Sequence, residues 1–243
     1  LAVPADVAAS DLGGRTVFAG FIDVDTRYGQ AEAPQATAAQ GRSPAANYAR
    51  SGPRHWNRRV HPETDVAAEF RANADAARAL RELGFGAVLS TPSNGVMRGQ
   101  SVLVSTADGE RPNDLVLKSA VAQHFAFEQG QWPSNEYPSS LMGSIALMRQ
   151  VLLDARWQRD YRAWSARRRD AVTIEENLAL DALVPLLDGR QPVVFATTDE
   201  LDIGRALVVG REFGLRVVLS GNGHEYRNVD MLKRAGAPVI VPL

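Results

Sequence analysis

The sequence predicts an α/β fold built on a parallel sheet, and three features of its last third carry that prediction. Apolar strands alternate there with helices: Pro192 to Thr197, then Asp199 to Phe213, Leu215 to Ser220, Glu225 to Ala235 and Pro238 to Pro242. Glycines, Gly214 and Gly236, stand just past both helices, where a left-handed cap ends a helix at no steric cost. The strands that follow are continuous apolar runs, as expected when both faces of a sheet are covered.

Taken in chain order, residues 17–25 read as the first strand. Gln30 to Pro62 is an irregular insertion rich in Ala, Pro, Gln, Gly and Ser that carries Arg50, Arg54, His55, Trp56, Arg58 and Arg59. Loops of that length are uncommon in compact domains unless they serve as lids or are mobile. Asp65 to Leu83 spaces Val66, Phe70, Ala74, Ala77 and Leu80 by three and four residues, with Thr64 as N-cap, and leads through Gly84 into a strand at 86–90. A further strand is expected at 123–127. Ser139 or Ser140 caps a long helix reaching about Trp164, with Leu141, Ile145, Met148, Leu152 and Ala155 on one stripe. The basic run Arg167-Arg168-Arg169 reads as its solvated end, favoured by the helix dipole.

A chain of 243 residues can bury one substantial core, so a single main domain is the default. The formal net charge of -1, from 27 basic and 28 acidic residues, provides no field to attract nucleic acid or an anionic membrane. A small-molecule or peptide-like ligand is expected instead. The absence of cysteine excludes thiol catalysis, disulfides and cysteine-held zinc or iron–sulfur clusters, but leaves the compartment open. No run approaches the roughly 20 apolar residues that span a bilayer, so the residues read as soluble. The chain begins on Leu1 and stops at Val241-Pro242-Leu243 in what reads as a buried strand; it is expected to be a piece of a longer protein, with any export signal upstream.

The stretch Gly20-Phe21-Ile22-Asp23-Val24-Asp25-Thr26-Arg27-Tyr28-Gly29 resembles the first barrel strand of the amidohydrolase superfamily, Gly-x-Ile-Asp-x-His-x-His-x-Gly. The run from Asp11 to Asp23 is similar to that family's lead into the strand, with Ala19 in place of the usual proline. Pro92-Ser93-Asn94-Gly95 with Gly99-Gln100-Ser101, Ser140-Leu141-Met142-Gly143, and Pro192-Val193-Val194-Phe195 after Gly189-Arg190 resemble the imidazolonepropionase-like and prolidase-like branch. The resemblance implies a TIM-type (β/α) barrel of the amidohydrolase type across residues 11–243, truncated before its last two strands. Residues 1–10 would be the tail of a flanking small β domain. It also implies hydrolysis of C–N bonds (amide, cyclic amide or dipeptide) through a divalent metal, zinc or manganese.

The metal ligands do not carry over. The two strand-one histidines are replaced by Asp25 and Arg27, and a guanidinium has no lone pair to offer a metal. The histidine expected at the end of the Pro-Val-x-x-His strand is Ala196, followed by Thr197 and Thr198. Asp25 and His224 remain as metal candidates, and Asp25, Arg27, His124, Thr198 and His224 as ligand-binding candidates; no catalytic residue is assigned. Asp25 and Arg27 share one strand face, as a charge pair for an anionic ligand or as a structural ion pair filling an abandoned metal pocket. Asp23 lies on that face too. His124 reads as a satisfied core histidine on the third strand, and His55 and His61 as solvated loop residues. Gly84-Phe85-Gly86 and Gly221-Asn222-Gly223 read as tight turns, because no nucleotide-binding glycine motif surrounds them. Two functions stay open: a hydrolase with a reduced one-metal site, and an inactive relative, with no metal, that binds a small amide or peptide ligand or pairs with itself or an active paralogue. An open-sheet ligand-binding domain without barrel ancestry is the third, lesser reading.

Overall fold

A computed structural model describes residues 11–30, 52–109, 111–127 and 137–242. The strands are β1 (Phe21–Thr26), β2 (Phe85–Ser90), β3 (Met97–Gln100), β4 (Val102–Ser105), β5 (Val116–Lys118), β6 (Gln123–Ala126), β7 (Val193–Ala196), β8 (Val217–Ser220) and β9 (Val239–Ile240). The helices are α1 (Val66–Glu69), α2 (Ala74–Glu82), α3 (Pro112–Leu115), α4 (Leu141–Ser165), α5 (Leu178–Ala182), α6 (Val184–Leu187), α7 (Glu200–Phe213) and α8 (Val229–Ala235), with a 3₁₀ turn at Glu225–Asn228. Among the described residues no helix is long and apolar enough to cross a membrane. The flanking tail, residues 1–10, and residues 31–51 of the Gln30 to Pro62 insertion, including Arg50, lie outside the described residues.

All six expected strands are present, but they form two open sheets and no closed barrel among the described residues. One sheet has the order β1-β2-β4-β5, the other β3-β6-β7-β8-β9. β1 and β2 run parallel, as do β6 through β9, while β3, β4 and β5 pair antiparallel to their neighbours. These three short strands lie where the sequence suggests only a loop after β2. The chain crosses from one sheet to the other at Ser101, which is buried and donates its backbone N–H to Ala122 O. The third expected strand, β6, therefore neighbours β3 and not β2.

The parallel half matches the sequence pattern closely. Phe125, Phe195 and Leu219 point from β6, β7 and β8 into a core shared with Met148, Val151 and Leu152 of α4 and Ile203, Ala206 and Val209 of α7. Because side chains alternate, His124, Ala126, Ala196 and Ser220 turn to the opposite face. Ala126, Ala196, Ser220 and Ile240 sit in one cross-strand row at the carboxyl ends. Ser140 caps α4 through Gly143 N, and Asp199 with Asp202 forms a capping box at α7. Gly214 (φ 69°) and Gly236 (φ 61°) end α7 and α8 in the left-handed conformation.

The helix expected over Asp65 to Leu83 is broken in two. Asp65, not Thr64, caps α1 through Ala67 N, and Asn73 restarts the helix by accepting from Ala76 N. Phe70 explains the break: it leaves the helix at φ -59°, ψ 132° and buries its ring in the space that a Cβ on Gly29 would fill. Its ring also meets the edge of Tyr28 at 5.6 Å. The second core, under the first sheet, is built around Tyr28, Val66, Phe70 and Val88.

Candidate functional site

Asp25 stands near the carboxyl end of β1 and is bonded by hydroxyls from both sheets. Thr91 Oγ1, just past β2, donates to its Oδ1 at 2.9 Å, and Ser220 Oγ, the last residue of β8, donates to its Oδ2 at 3.0 Å. Gln30 holds the Thr91 corner by donating to Ser90 Oγ and Thr91 O, both at 2.8 Å. Asp25 N in turn donates to Asp23 Oδ1 at 3.1 Å, so the strand end carries two carboxylates. A cavity of about 390 Å³ opens beside them, lined by Asp23, Asp25, Phe85, Ser220, Gly221 and Ile240.

His124 lies on the same face of the second sheet and is 6 % exposed. Its Nε2 is buried without a hydrogen-bond partner, so it is not the satisfied core histidine the sequence suggested. Burial lowers its pKa to about 4; the Asp25 carboxylate pulls it back up and the Arg98 guanidinium pushes it further down. The imidazole is neutral at pH 7 and keeps one buried ring nitrogen without a hydrogen-bond partner.

The other candidates are not assembled with Asp25. Arg27 is exposed, lies just past β1, and makes no ion pair among the described residues, so the expected Asp25–Arg27 pair does not form. The two hydroxyls take the place beside Asp25 that the guanidinium was expected to fill. Thr198 is spent on a helix start: its N and Oγ1 both donate to Asp202 Oδ2, at 3.1 and 2.9 Å. His224 is exposed, sits within hydrogen-bond reach of Asn222 Oδ1 (Nδ1 at 3.3 Å), stacks on Tyr226, and does not line the cavity beside Asp25. His55 is buried, not solvated: its Nδ1 accepts from Asn57 N at 3.1 Å, and this turn is anchored by Asn57 Nδ2 to Tyr137 O and by Arg59 to Pro138 O. His61 is half-buried beside Arg98 O.

A catalytic zinc centre takes three protein ligands and keeps an open position. Among the described residues no group of three or more His, Asp or Glu side chains is arranged to hold a metal ion. Asp25 already has a donor on each oxygen, and Ala196 offers a methyl group beside Ser220. The described residues do not fit a three-ligand metal centre. Thr91 and Ser220 were missed from the sequence, although both are hydroxyl residues at or just past the carboxyl end of a parallel strand, where sheet ligands gather.

No family model and no curated protein matches the sequence. Among solved structures, an amidohydrolase from Thermotoga maritima is similar over 97% of this chain and 61% of its own, with a TM-score of 0.72 and 18% identity. The chain thus spans about 61% of the length of that protein. At this identity the likeness concerns the fold: the mixed α/β architecture of this chain is similar to part of that structure.

Proposed function

We propose that the chain is a degenerate amidohydrolase-type barrel, of the imidazolonepropionase-like and prolidase-like branch, that binds a small amide, cyclic amide or peptide-like ligand at the carboxyl ends of its strands without a metal of its own. The observation that carries this reading is the environment of Asp25. Both of its oxygens accept from neutral hydroxyls, Thr91 and Ser220, in the position where the resemblance puts a metal ligand. A hydroxyl pair meets the hydrogen-bonding needs of the carboxylate without neutralising its charge, and Asp23, Asp25 and Ser220 line the adjoining cavity, where they can hydrogen-bond an amide. Arg27, exposed just past β1, supplies a cation for a ligand carboxylate in this reading.

A second reading is favoured by His124. An unpartnered, neutral imidazole nitrogen on the same face is a metal donor or a proton acceptor in waiting. In that reading Asp25 and His124 belong to a one-metal C–N hydrolase centre completed by further residues.

Metal analysis of the full-length protein after incubation with zinc or manganese and desalting separates the two. The binding reading expects no stoichiometric metal, and thermal stabilisation by N-acetyl dipeptides or hydantoin that a chelator leaves unchanged and Arg27→Ala weakens for the carboxylate-bearing probe. Near-stoichiometric metal that is lost in Asp25→Ala, with chelator-sensitive amide hydrolysis, would replace it by the hydrolase reading.

A further inference from the structure

At the amino-terminal edge of β7, β8 and β9, the opposite end of the sheet from Asp25, lies a cavity of about 570 Å³. That volume is in the range of roughly 300–1,000 Å³ typical of small-molecule sites. Three arginines line it: Arg211 in the last turn of α7, Arg216 just before β8, and Arg234 in the last turn of α8. Leu207, Leu215 and Val217 supply apolar wall between them. The approach of α7 to β8 depends on Gly210, where a Cβ would run into Val217 Cγ2. The residue after it, Arg211, is thereby brought to the edge of β8.

Arginine in a last helical turn ordinarily offsets the negative end of the helix dipole. Here the charges do not balance. Two helix ends contribute about half a negative charge each, against three guanidinium groups that are all exposed to solvent, which leaves a local excess of roughly two positive charges. No Asp or Glu lines the cavity, and none of the three arginines pairs with a carboxylate among the described residues. Arg216 gives Nη1 to Gly189 O at 3.1 Å, which steadies the side chain while its other donors stay available.

We propose that this cavity is a binding site for a small phosphomonoester carrying an apolar group. A dianion matches the residual charge, forked guanidinium groups match phosphate oxygens two at a time, and the leucine and valine wall takes the apolar part. The site is independent of the proposed ligand mouth at the other end of the strands, so either can fail without the other.

The test is calorimetric titration of the full-length protein with phenyl phosphate, inorganic phosphate and phenol. Phenyl phosphate binds saturably at one site, inorganic phosphate more weakly, and phenol not at all. Arg211→Gln and Arg234→Gln each weaken phenyl phosphate by roughly tenfold, as expected for loss of one charge-assisted contact. Arg168→Gln, which removes the same charge from an exposed position just past α4, leaves binding unchanged, and unaltered thermal melts show that the variants fold. Absence of saturable phenyl phosphate binding, undiminished binding in both cavity variants, or an equal loss in Arg168→Gln would overturn the proposal.

Discussion

The hydroxyl of Ser220 donates to the carboxylate of Asp25 at 3.0 Å across 195 residues of sequence, and this contact ties the end of β8 in one sheet to the end of β1 in the other. No strand pairing joins β1 to β8 or β9 among the described residues, so side chains make the link. Thr91, just past β2, completes it on the other carboxylate oxygen.

Ser220→Ala and Asp25→Ala should each lower stability by about 1 kcal/mol, the usual net worth of a partly exposed hydrogen bond. Their effects should not add. A double-mutant cycle read by urea denaturation is expected to give a coupling of ~0.5 kcal/mol or more, and strict additivity would mean that the contact carries no energy.

His124 sets a pH dependence. Its folded pKa, about 4, lies below the ordinary histidine value of 6.5 because burial disfavours the charged ring. Between those values the unfolded chain holds a proton that the folded one does not, so stability is complete above pH 6.5 and falls as the pH drops towards 4. The full span is of order 3 kcal/mol. Urea midpoints at pH 7 and pH 4.5 should differ markedly in the wild type, and the part of that difference due to this residue should vanish in His124→Leu.

Gly210→Ala should destabilise the protein by about 1–3 kcal/mol, because the new methyl would overlap Val217 unless α7 moves off β8. Thermal melts check this directly. A methyl on Gly214 would meet nothing within 4 Å, but the position needs φ 69°, so Gly214→Ala should cost less, by backbone strain of about 1 kcal/mol.

Asp202 is 2 % exposed and accepts from Thr198 N and Oγ1 while pairing with Arg205 at 2.8 Å. Asp202→Ala should cost about 2 kcal/mol, since it strips the start of α7 and leaves Arg205 with only the exposed Asp199. Asp202→Asn should recover part of that loss in the same melt, because one oxygen acceptor remains.

Local structure was legible in the chain. The stripe from Leu141 to Ala155 after Ser139 or Ser140 and the Gly214 and Gly236 stops placed α4 and α7 almost residue for residue and the end of α8, whose expected first turn, Glu225–Asn228, is a 3₁₀ turn instead, because these signals act between neighbours one or two turns apart. The apolar runs at 193–196 and 217–220 likewise marked their strands. Which ends meet was left to packing. β3, β4 and β5 are three or four residues long and owe their pairing to the sheets they join, so their own sequences carried little signal. Phe70 left its helix for a space that Gly29, far back in the chain, provides. The site followed the same rule: Asp25 was visible in its motif, but its partners Thr91 and Ser220 became partners through packing of separate strands, and Arg27, two residues away in sequence, did not. Contacts between residues far apart depend on how whole faces are buried, and no window of neighbouring residues contains that information.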